Sequence, residues 1–508
     1  MVKIRKFNIK ETYYSQKGYA ILKDGNEECV NYLRQLLTVE PKQNTMLSNE
    51  ENRAFPVYRE NSKKIYIPRC LGFEMFGLPK HDTIHEGIDC PNLIFKGNLR
   101  SEQMSPVNAF IEAAKDPLRR GGIISVGCGF GKTILSLYLT CVFKKKTLVL
   151  CHKEFLINQW KERIAEFIPT ATVGLIKAKQ LDYKNKDIVI GSVQSISMKE
   201  YDAEIFSDFT FIICDETHHL SSEVFSRALP KINAQIMLGL SATLDRKDGL
   251  RKVFEWYLGK PVFQQKGRTE NELFVHIINV PNDYPCAEYG KELVMWNGKK
   301  NCAAMINAIC DWQDRNNLII ATLQKVLERD PGRRVLILSD RKGHLKILEN
   351  EIKQKNLGTI GYYVGGMKEP ALKESEGKDI ILGTYPMASE GMDIPVLNTL
   401  ILASPISSIE QSIGRVQRQK PHERKYVPMV IDVCDNFSLY TNQSRKRIEF
   451  YKKNGYTFID GKGDIIDNKK SNNYDEDDDD IAESSQSHSQ SEAKPKSSKY
   501  KFIDSDDD

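Results

Sequence analysis

The stretch Gly122-Ile123-Ile124-Ser125-Val126-Gly127-Cys128-Gly129-Phe130-Gly131-Lys132-Thr133 has the residue types needed to hold a phosphate. Closely spaced glycines let the backbone curl so that successive N–H groups point at anionic oxygens, and a helix opening at the Lys-Thr pair adds the positive end of its dipole. Gly127, Cys128, Gly129, Phe130 and Gly131 would form the cradle, Lys132 would reach the outer phosphates of a nucleotide, and Thr133 would hold Mg2+. Val126 stands where the usual Gly-x-x-x-x-Gly-Lys-Thr pattern has its first glycine. The alternative is an ordinary Gly-rich turn, which the flanking strand and helix make the poorer account. Farther on, Asp215-Glu216-Thr217-His218-His219 follows an apolar run. Asp215 can hold a metal ion through water, and Glu216 can orient or deprotonate an attacking water. A zinc site at the paired histidines is a weak reading, because adjacent residues on a helix or strand point apart. Gln411, Arg415 and Arg418 are spaced i, i+4 and i+7, which on one helix gives a shared face. Two guanidiniums presented together suit the charge of a transferring phosphoryl group, as an arginine finger does. A basic face touching solvent or a DNA phosphate is the competing account.

Three smaller signals accompany these. Gln103 lies 29 positions before Lys132 at the start of a helix, and its amide matches the donor and acceptor pair of an adenine edge. Ser241-Ala242-Thr243 ends another apolar run and could sense and relay the nucleotide state. In Gly383 to Pro395, Gly391 permits a tight turn and Asp393 could accept a hydrogen bond from a ribose hydroxyl.

The elements that must position these residues are legible as buried runs. Residues 147–151, 187–190, 209–214 and 236–240 read as parallel strands covered on both faces, with helical stretches between them such as Phe155 to Phe167. Such alternation argues for an α/β fold with a parallel sheet, whose ligands bind beyond the carboxyl ends of the strands. A helix near Asn316 to Arg329 ends at Pro331-Gly332, and a second set of runs follows at 334–338, 358–363, 379–383, 399–402 and 427–433. That repeats the first architecture without a phosphate loop.

Composition narrows the setting. The chain has 508 residues and a net charge of +5, but residues 471–508 hold twelve Asp/Glu and four Lys, so the first 470 carry 69 Lys/Arg against 56 Asp/Glu. A basic body suits a polyanionic partner such as nucleic acid, and a solvated surface is the plain alternative. The acidic tail cannot bury apolar surface and reads as disordered. No run of about 18 uncharged apolar residues is present, so a membrane span is not expected, and Met1-Val2-Lys3-Ile4-Arg5-Lys6 lacks the apolar core of a secretory signal. Eleven cysteines without a Cys-x-x-Cys pair fit a reducing intracellular setting and argue against structural zinc.

Taken in order from Leu99 to Arg418, these segments resemble the motif series of superfamily 2 helicases. Gln103 matches the adenine-reading motif and Val126 to Thr133 motif I. Leu148 to Trp160, Gly191 to Gln194 and Asp215 to His218 fall at motifs Ia, Ib and II. Ser241-Ala242-Thr243, Leu336 to Asp340, Gly383 to Asp393 and Gln411 to Arg418 match motifs III to VI. Val126-Gly127-Cys128-Gly129, Cys151 to Trp160 and Ser241 to Leu250 are similar to the branch holding the eukaryotic TFIIH DNA translocase, the phage recombination helicase and the transcript-release helicases of large cytoplasmic DNA viruses, above all the viral members. Asp-Glu-Thr-His departs from the Asp-Glu-Ala-His form, and the chain has no room for the long C-terminal domains of the DEAH-box RNA helicases.

The resemblance implies two tandem RecA-like lobes. The expected layout is a mixed α/β accessory domain over 1–95, an ATP-binding lobe over 96–260, a connection over 261–310, a second lobe over 311–470 and the tail over 471–508. It further implies ATP and Mg2+ as ligands, and hydrolysis driving movement along a DNA strand, 3′ to 5′, in viral transcription or genome processing. His152, Lys153, Ser192, Val193, Gln194, Ser339, Arg341 and Thr384 would grip the phosphates of one strand. Single-stranded or junction DNA is the expected partner, with transcription machinery beside it. The chain is expected to be a monomer with no membrane partner, in the host cytoplasm, virion or nucleus. The alternatives are an ATP-dependent RNA helicase and an ATP-gated nucleic-acid scaffold that separates no strands.

Overall fold

The computed structural model describes residues 5–41, 54–127, 129–202, 204–217, 227–242, 249–265, 272–280, 289–392, 394–419 and 421–466. The acidic tail lies outside them, as do Cys128, His218, His219, Thr243 and Asp393. The chain divides into two units, one ending at Arg268 and the other beginning at Thr269.

The first unit opens with a small sheet of β1 (Thr12–Ser15), β2 (Gly18–Leu22), β3 (Arg59–Glu60), β4 (Lys64–Ile67) and β5 (His81–Asp82), in the order β3-β4-β2-β1-β5. Its pairs are antiparallel except for β1 with β5. The main sheet comprises β6 (Gly121–Ser125), β7 (Thr147–Cys151), β8 (Val173–Lys177), β9 (Gln180–Asp182), β10 (Ile188–Ser192), β11 (Phe211–Cys214), β12 (Ile236–Ser241) and β13 (Pro261–Gln264). The order is β9-β8-β10-β7-β11-β12-β6-β13, parallel throughout except for the β9 edge. β6, β7, β10 and β11 are buried along their whole length, which is why they read as continuous apolar runs with no alternation. Register fixes the site: Ser192 pairs with Cys151, Cys214 with Leu150 and Gly239, and Ser241 with Ser125. The loops leaving β6, β7, β10, β11 and β12 therefore emerge from one edge.

The second unit has a seven-stranded parallel sheet of β14 (Phe274–Val280), β15 (Val335–Ser339), β16 (Ile360–Tyr363), β17 (Ile380–Thr384), β18 (Thr399–Leu402), β19 (Met429–Asp435) and β20 (Thr457–Ile459), ordered β16-β17-β15-β18-β19-β14-β20. The two parallel sheets make the chain a pair of RecA-like units. The stretch 261–310, assigned to a connection from sequence, instead gives β13 to the first sheet and β14 to the second. Both strands lie beside covered neighbours, and Phe274 to Val280 pairs along its whole length with β19, so its irregular composition hid a strand in the body of the sheet.

Within the second unit, two carboxylates on β19 carry buried ion pairs. Arg315 Nε and Nη2 donate to Asp435 at 2.8 and 2.9 Å, and Arg447 Nε donates to Asp432 Oδ2 at 2.8 Å, with Tyr451 adding a hydroxyl to the same oxygen at 2.9 Å. Removing one partner of such a pair leaves an uncompensated buried charge, at a cost of about 3–5 kcal/mol.

Candidate active site and nucleic-acid edge

The phosphate loop follows β6 and ends at Gly131, whose φ of +85° is a left-handed N-cap for the helix Lys132–Phe143. A Cβ at Gly131 would lie 2.5 Å from Gln103 Nε2. The close approach exists because Gln103, only 2% exposed, donates from Nε2 to the Phe130 carbonyl at 2.9 Å and accepts the Arg100 N–H on Oε1 at 2.9 Å. Arg100 donates to the same Phe130 carbonyl. The Gln103 amide, read from sequence as an adenine edge, thus holds the loop and its own helix start, with Nε2 also 3.5 Å from the Gly131 carbonyl. Lys132 Nζ lies 3.4 Å from the Val126 carbonyl, and Val126 N–H donates to Ser241 O at 3.1 Å, which ties the loop to the end of β12.

Asp215 leaves β11 one strand beyond β12 and is buried. Its Oδ1 accepts the Glu216 N–H at 3.0 Å, and its Oδ2 accepts Trp160 Nε1–H at 2.9 Å. Burial, together with the neighbouring Glu216 carboxylate, pushes its pKa up to about 6, against the pull of the indole hydrogen bond and the Lys132 charge. Glu216 sits at φ +48°, a left-handed conformation costly for a side chain with a Cβ and typical of functional sites. Trp160 was named in the sequence only as the end of a motif. Its role is tertiary: the helix Glu154–Phe167 buries Leu156, Ile157, Trp160 and Ile164 and so aims the indole N–H across to β11.

This donor set fits Mg2+. Two adjacent carboxylates after β11, with the Thr133 hydroxyl in the first turn of the helix that follows β6 on the same sheet edge, suit an ion that keeps several waters and takes phosphate oxygens. No group of three or more His, Cys, Asp and Glu forms a closed metal cage among the described residues.

The edge residues divide by what they already hold. On the first unit, His152 and Lys153 follow β7 and are partly exposed, and Gln194 is exposed. Val193 is buried, so only its backbone faces a ligand, and Ser192 Oγ caps the helix Val193–Met198 through the Ser195 N–H at 3.4 Å. On the second unit Ser339 is fully buried, and its hydroxyl pairs with His344 Nδ1 at 2.9 Å and accepts the Arg341 N–H at 3.2 Å. That hydroxyl is committed inside the fold and does not serve as a free phosphate donor. Arg341 bonds Asn307 Oδ1 at 2.7 Å and pairs with Asp340, and Thr384 is partly exposed at the start of the helix Tyr385–Gly391.

The arginine motif departs from its expected geometry. Its helix spans only Glu410–Val416, so Gln411 and Arg415 share a helix whereas Arg418 lies beyond its end. Arg415 is 7% exposed and donates from Nη1 to the Met392 carbonyl at 2.5 Å. The shared i, i+4, i+7 face is therefore not formed, because the backbone leaves helical geometry at Gln417 (φ −105°, ψ 16°). Gly391, expected to make a tight turn, is the last residue of the helix Tyr385–Gly391.

A phosphate loop and the adjacent carboxylates of buried Asp215 and half-buried Glu216 on the carboxyl edge of one RecA-like sheet, with a second RecA-like unit in the same chain, define a nucleotide-driven motor ATPase. Comparison with known proteins agrees. Residues 96–246 match the family "Type III restriction enzyme, res subunit". Over 462 residues the chain is 35% identical to "Putative ATP-dependent RNA helicase L396" of Acanthamoeba polyphaga mimivirus, covering 88% of this chain and 86% of that one. QP509L of African swine fever virus (isolate Warthog/Namibia/Wart80/1980), given the same designation, is 26% identical over 419 residues, covering 77% and 80%. A solved fragment described as a "putative HsdR subunit" of a type I restriction enzyme from Vibrio vulnificus YJ016 shares the fold, with a TM-score of 0.50 at 16% identity, covering 77% of this chain and 73% of that one. The chain belongs to the superfamily 2 helicases: it is an ATP-dependent helicase that hydrolyses ATP and binds nucleic acid. Among the described residues, no helix is long and apolar enough to cross a membrane.

Proposed function

We propose that ATP is held by Gly127, Gly129, Gly131, Lys132 and Thr133, with Asp215 and Thr133 holding Mg2+ and Glu216 activating the attacking water. When bound, the ion would neutralise phosphate charge. The observation that carries this reading is the pair of buried Asp215 and half-buried Glu216 on the sheet edge that also carries the phosphate loop, with Lys132 close enough to lower the Asp215 pKa. Gln103 acts through the loop backbone, so that adenine recognition and loop geometry are linked. On the first unit His152, Lys153 and Gln194 contact strand phosphates, and on the second Arg341 and Thr384 do, with little base specificity expected of backbone contacts.

The track is DNA, travelled 3′ to 5′, in viral transcription or genome processing. The designation of the mimivirus relative favours RNA as the second reading, and contacts to a phosphodiester chain do not separate the two sugars unless a 2′-hydroxyl is read. The nine described cysteines are free thiols, which supports a reducing intracellular setting. The test is ATP turnover with matched DNA and RNA strands beside a strand-displacement assay. Lys132→Ala and Glu216→Gln each abolish turnover with the fold intact, and Glu216→Gln still binds ATP. Retained hydrolysis in Glu216→Gln would assign the wrong carboxylate, and equal rates with and without nucleic acid would remove the motor reading.

A further inference from the structure

A tryptophan stands almost wholly in water on the second unit: Trp296 is 98% exposed. It occupies the tip of a short hairpin, Leu293-Val294-Met295-Trp296-Asn297-Gly298-Lys299-Lys300. The turn is tightly made. Gly298 N–H donates to Met295 O at 2.9 Å, Met295 N–H to Lys299 O at 2.7 Å, and Val294 bridges Lys300 in antiparallel fashion. Gly298 takes φ +76°, which closes a three-residue loop with a bulge, the geometry that an Asn-Gly pair favours.

The base of this hairpin is as firmly held as its tip is bare. Asn301 N–H donates to Leu293 O at 2.7 Å, and Asn301 Oδ1 caps the helix Cys302–Asp311 through the Ala304 N–H at 3.1 Å. Glu292 pairs with Lys300 at 2.7 Å and accepts the Ser438 hydroxyl at 2.6 Å. Tyr289 lies buried with its ring centroid 4.0 Å from that of Trp312, and its hydroxyl donates to Asp435 Oδ1 at 2.8 Å. With the hairpin backbone fixed at its base, the ring is presented clear of the fold and no chain segment has to be ordered for a flat ligand to stack on it.

Position and charge indicate what it meets. Asp435 ends β19 and pairs in register with Val280 at the end of β14, so the hairpin is rooted on the carboxyl edge of the second sheet, the edge from which Arg341 and Thr384 emerge. Arg341 contacts Asn307 on the helix that follows the hairpin. Residues 289–300 hold three lysines and one glutamate, a net of +2, and Lys291 and Lys299 are exposed on the same short segment as the ring. An exposed ring with lysines on either side in sequence suits a base and its phosphate, whereas a protein partner would call for a broader apolar patch than Trp296 and the exposed Val294 offer.

We propose that Trp296 is a stacking platform for an unpaired nucleobase, with Lys299 and Lys291 meeting the adjoining phosphates. This rests on the helicase reading, to which it adds a contact with bases where the edge residues contact only the backbone. The experiment measures binding of dye-labelled single-stranded DNA and RNA to the full chain by fluorescence anisotropy at fixed salt, for wild type, Trp296→Ala and Trp296→Phe. Trp296→Ala should weaken binding between about fivefold and a hundredfold, and Trp296→Phe should restore it to within about threefold of wild type. Because the ring packs against nothing, both variants should melt where wild type does. Wild-type affinity in Trp296→Ala would overturn the proposal and leave the ring to a protein partner, and equal loss in Trp296→Phe would overturn it by showing that aromatic stacking is not the contact. Failure of wild type itself to bind either strand would instead strike at the helicase reading.

Discussion

Trp160→Phe isolates the hydrogen bond that orients Asp215. The phenyl ring keeps most of the packing among Leu156, Ile157 and Ile164 but removes the indole N–H that Trp160 directs at Asp215 Oδ2, 2.9 Å away. A hydrogen bond to a charged acceptor contributes about 1.5–3 kcal/mol. If that energy holds the carboxylate in its working orientation, kcat should fall on the order of ten- to a hundredfold. The half-saturating Mg2+ concentration should rise with it, while KM for ATP, set largely by the phosphate loop, should stay within about threefold. The assay is steady-state ATP turnover at saturating nucleic acid across a Mg2+ series, with thermal melting as the fold control. Ile164→Val, on the same buried helix face, costs about 0.5–1.5 kcal/mol of packing without touching the carboxylate and should leave both parameters near wild type. A Trp160→Phe protein with wild-type kcat and Mg2+ dependence would refute the positioning role, as would an Ile164→Val protein that lost as much.

Two further perturbations probe the loop and the second unit. Gly131→Ala should weaken ATP binding at least tenfold by direct titration, because it forces φ +85° on an L side chain and drives a Cβ into the Gln103 amide; if the two residues act as one unit, Gln103→Ala combined with Gly131→Ala should lose little beyond the worse single variant. His344 is buried between Ser339 and Asn316, and Asn316 Nδ2 donates to Cys310 O at 2.9 Å, so Asn316 Oδ1 faces the ring and Nε2 of the imidazole carries the proton. Burial, with Arg315 nearby, lowers its pKa from 6.5 to about 3. The neutral ring therefore contributes stability that is present above pH 6.5 and is lost as pH falls toward 3, about 2 kcal/mol by pH 5. In urea titrations, the stability difference between wild type and His344→Gln should shrink by that amount between pH 7.5 and pH 5, and parallel curves would contradict the assignment.

What could be read from the chain was local. A phosphate loop is a backbone property of consecutive residues, and strands buried on both faces announce themselves as apolar runs, so Lys132, Asp215 and most of the parallel strands were accessible before any coordinates. Gln103 was found, but its partners were not, because the carbonyl it holds lies 27 residues away and reaches it only through packing. Arg418 was misread because nothing between Gln411 and Arg418 breaks a helix: the first proline is Pro421, while the helix ends at Val416. Ser339 looked like a hydroxyl at a strand end, and its partner His344 lies five residues on, a spacing that neither helix nor strand periodicity flags. Signals for two missed features were present. Asp432 and Asp435 interrupt an apolar strand, which asks for buried cations, and Trp296-Asn297-Gly298 carries the Asn-Gly turn that lifts an aromatic into solvent.

The N-terminal residues, whose role the sequence left blank, acquire one from where they attach. Arg69 is fully buried and donates to Ala234 O at 2.8 Å, Arg119 O at 2.9 Å and Arg120 O at 2.6 Å, the carbonyls just before β12 and β6. Tyr14 hydroxyl bonds Asn233 Oδ1 at 3.2 Å, Thr210 hydroxyl bonds Glu86 O just before β11, and Lys146 N–H bonds Ile88 O at 2.8 Å just before β7. Each tie lies at the amino end of a strand whose carboxyl end feeds the ATP site or the strand-gripping loops. A parallel sheet leaves backbone carbonyls and strand starts in need of partners at that end, and a module that caps them fixes the register of β6, β7, β11 and β12 together. Rigidity at the amino ends of these strands helps their carboxyl ends present Lys132, Asp215 and Glu216 in fixed positions, so the N-terminal residues brace the site through the sheet.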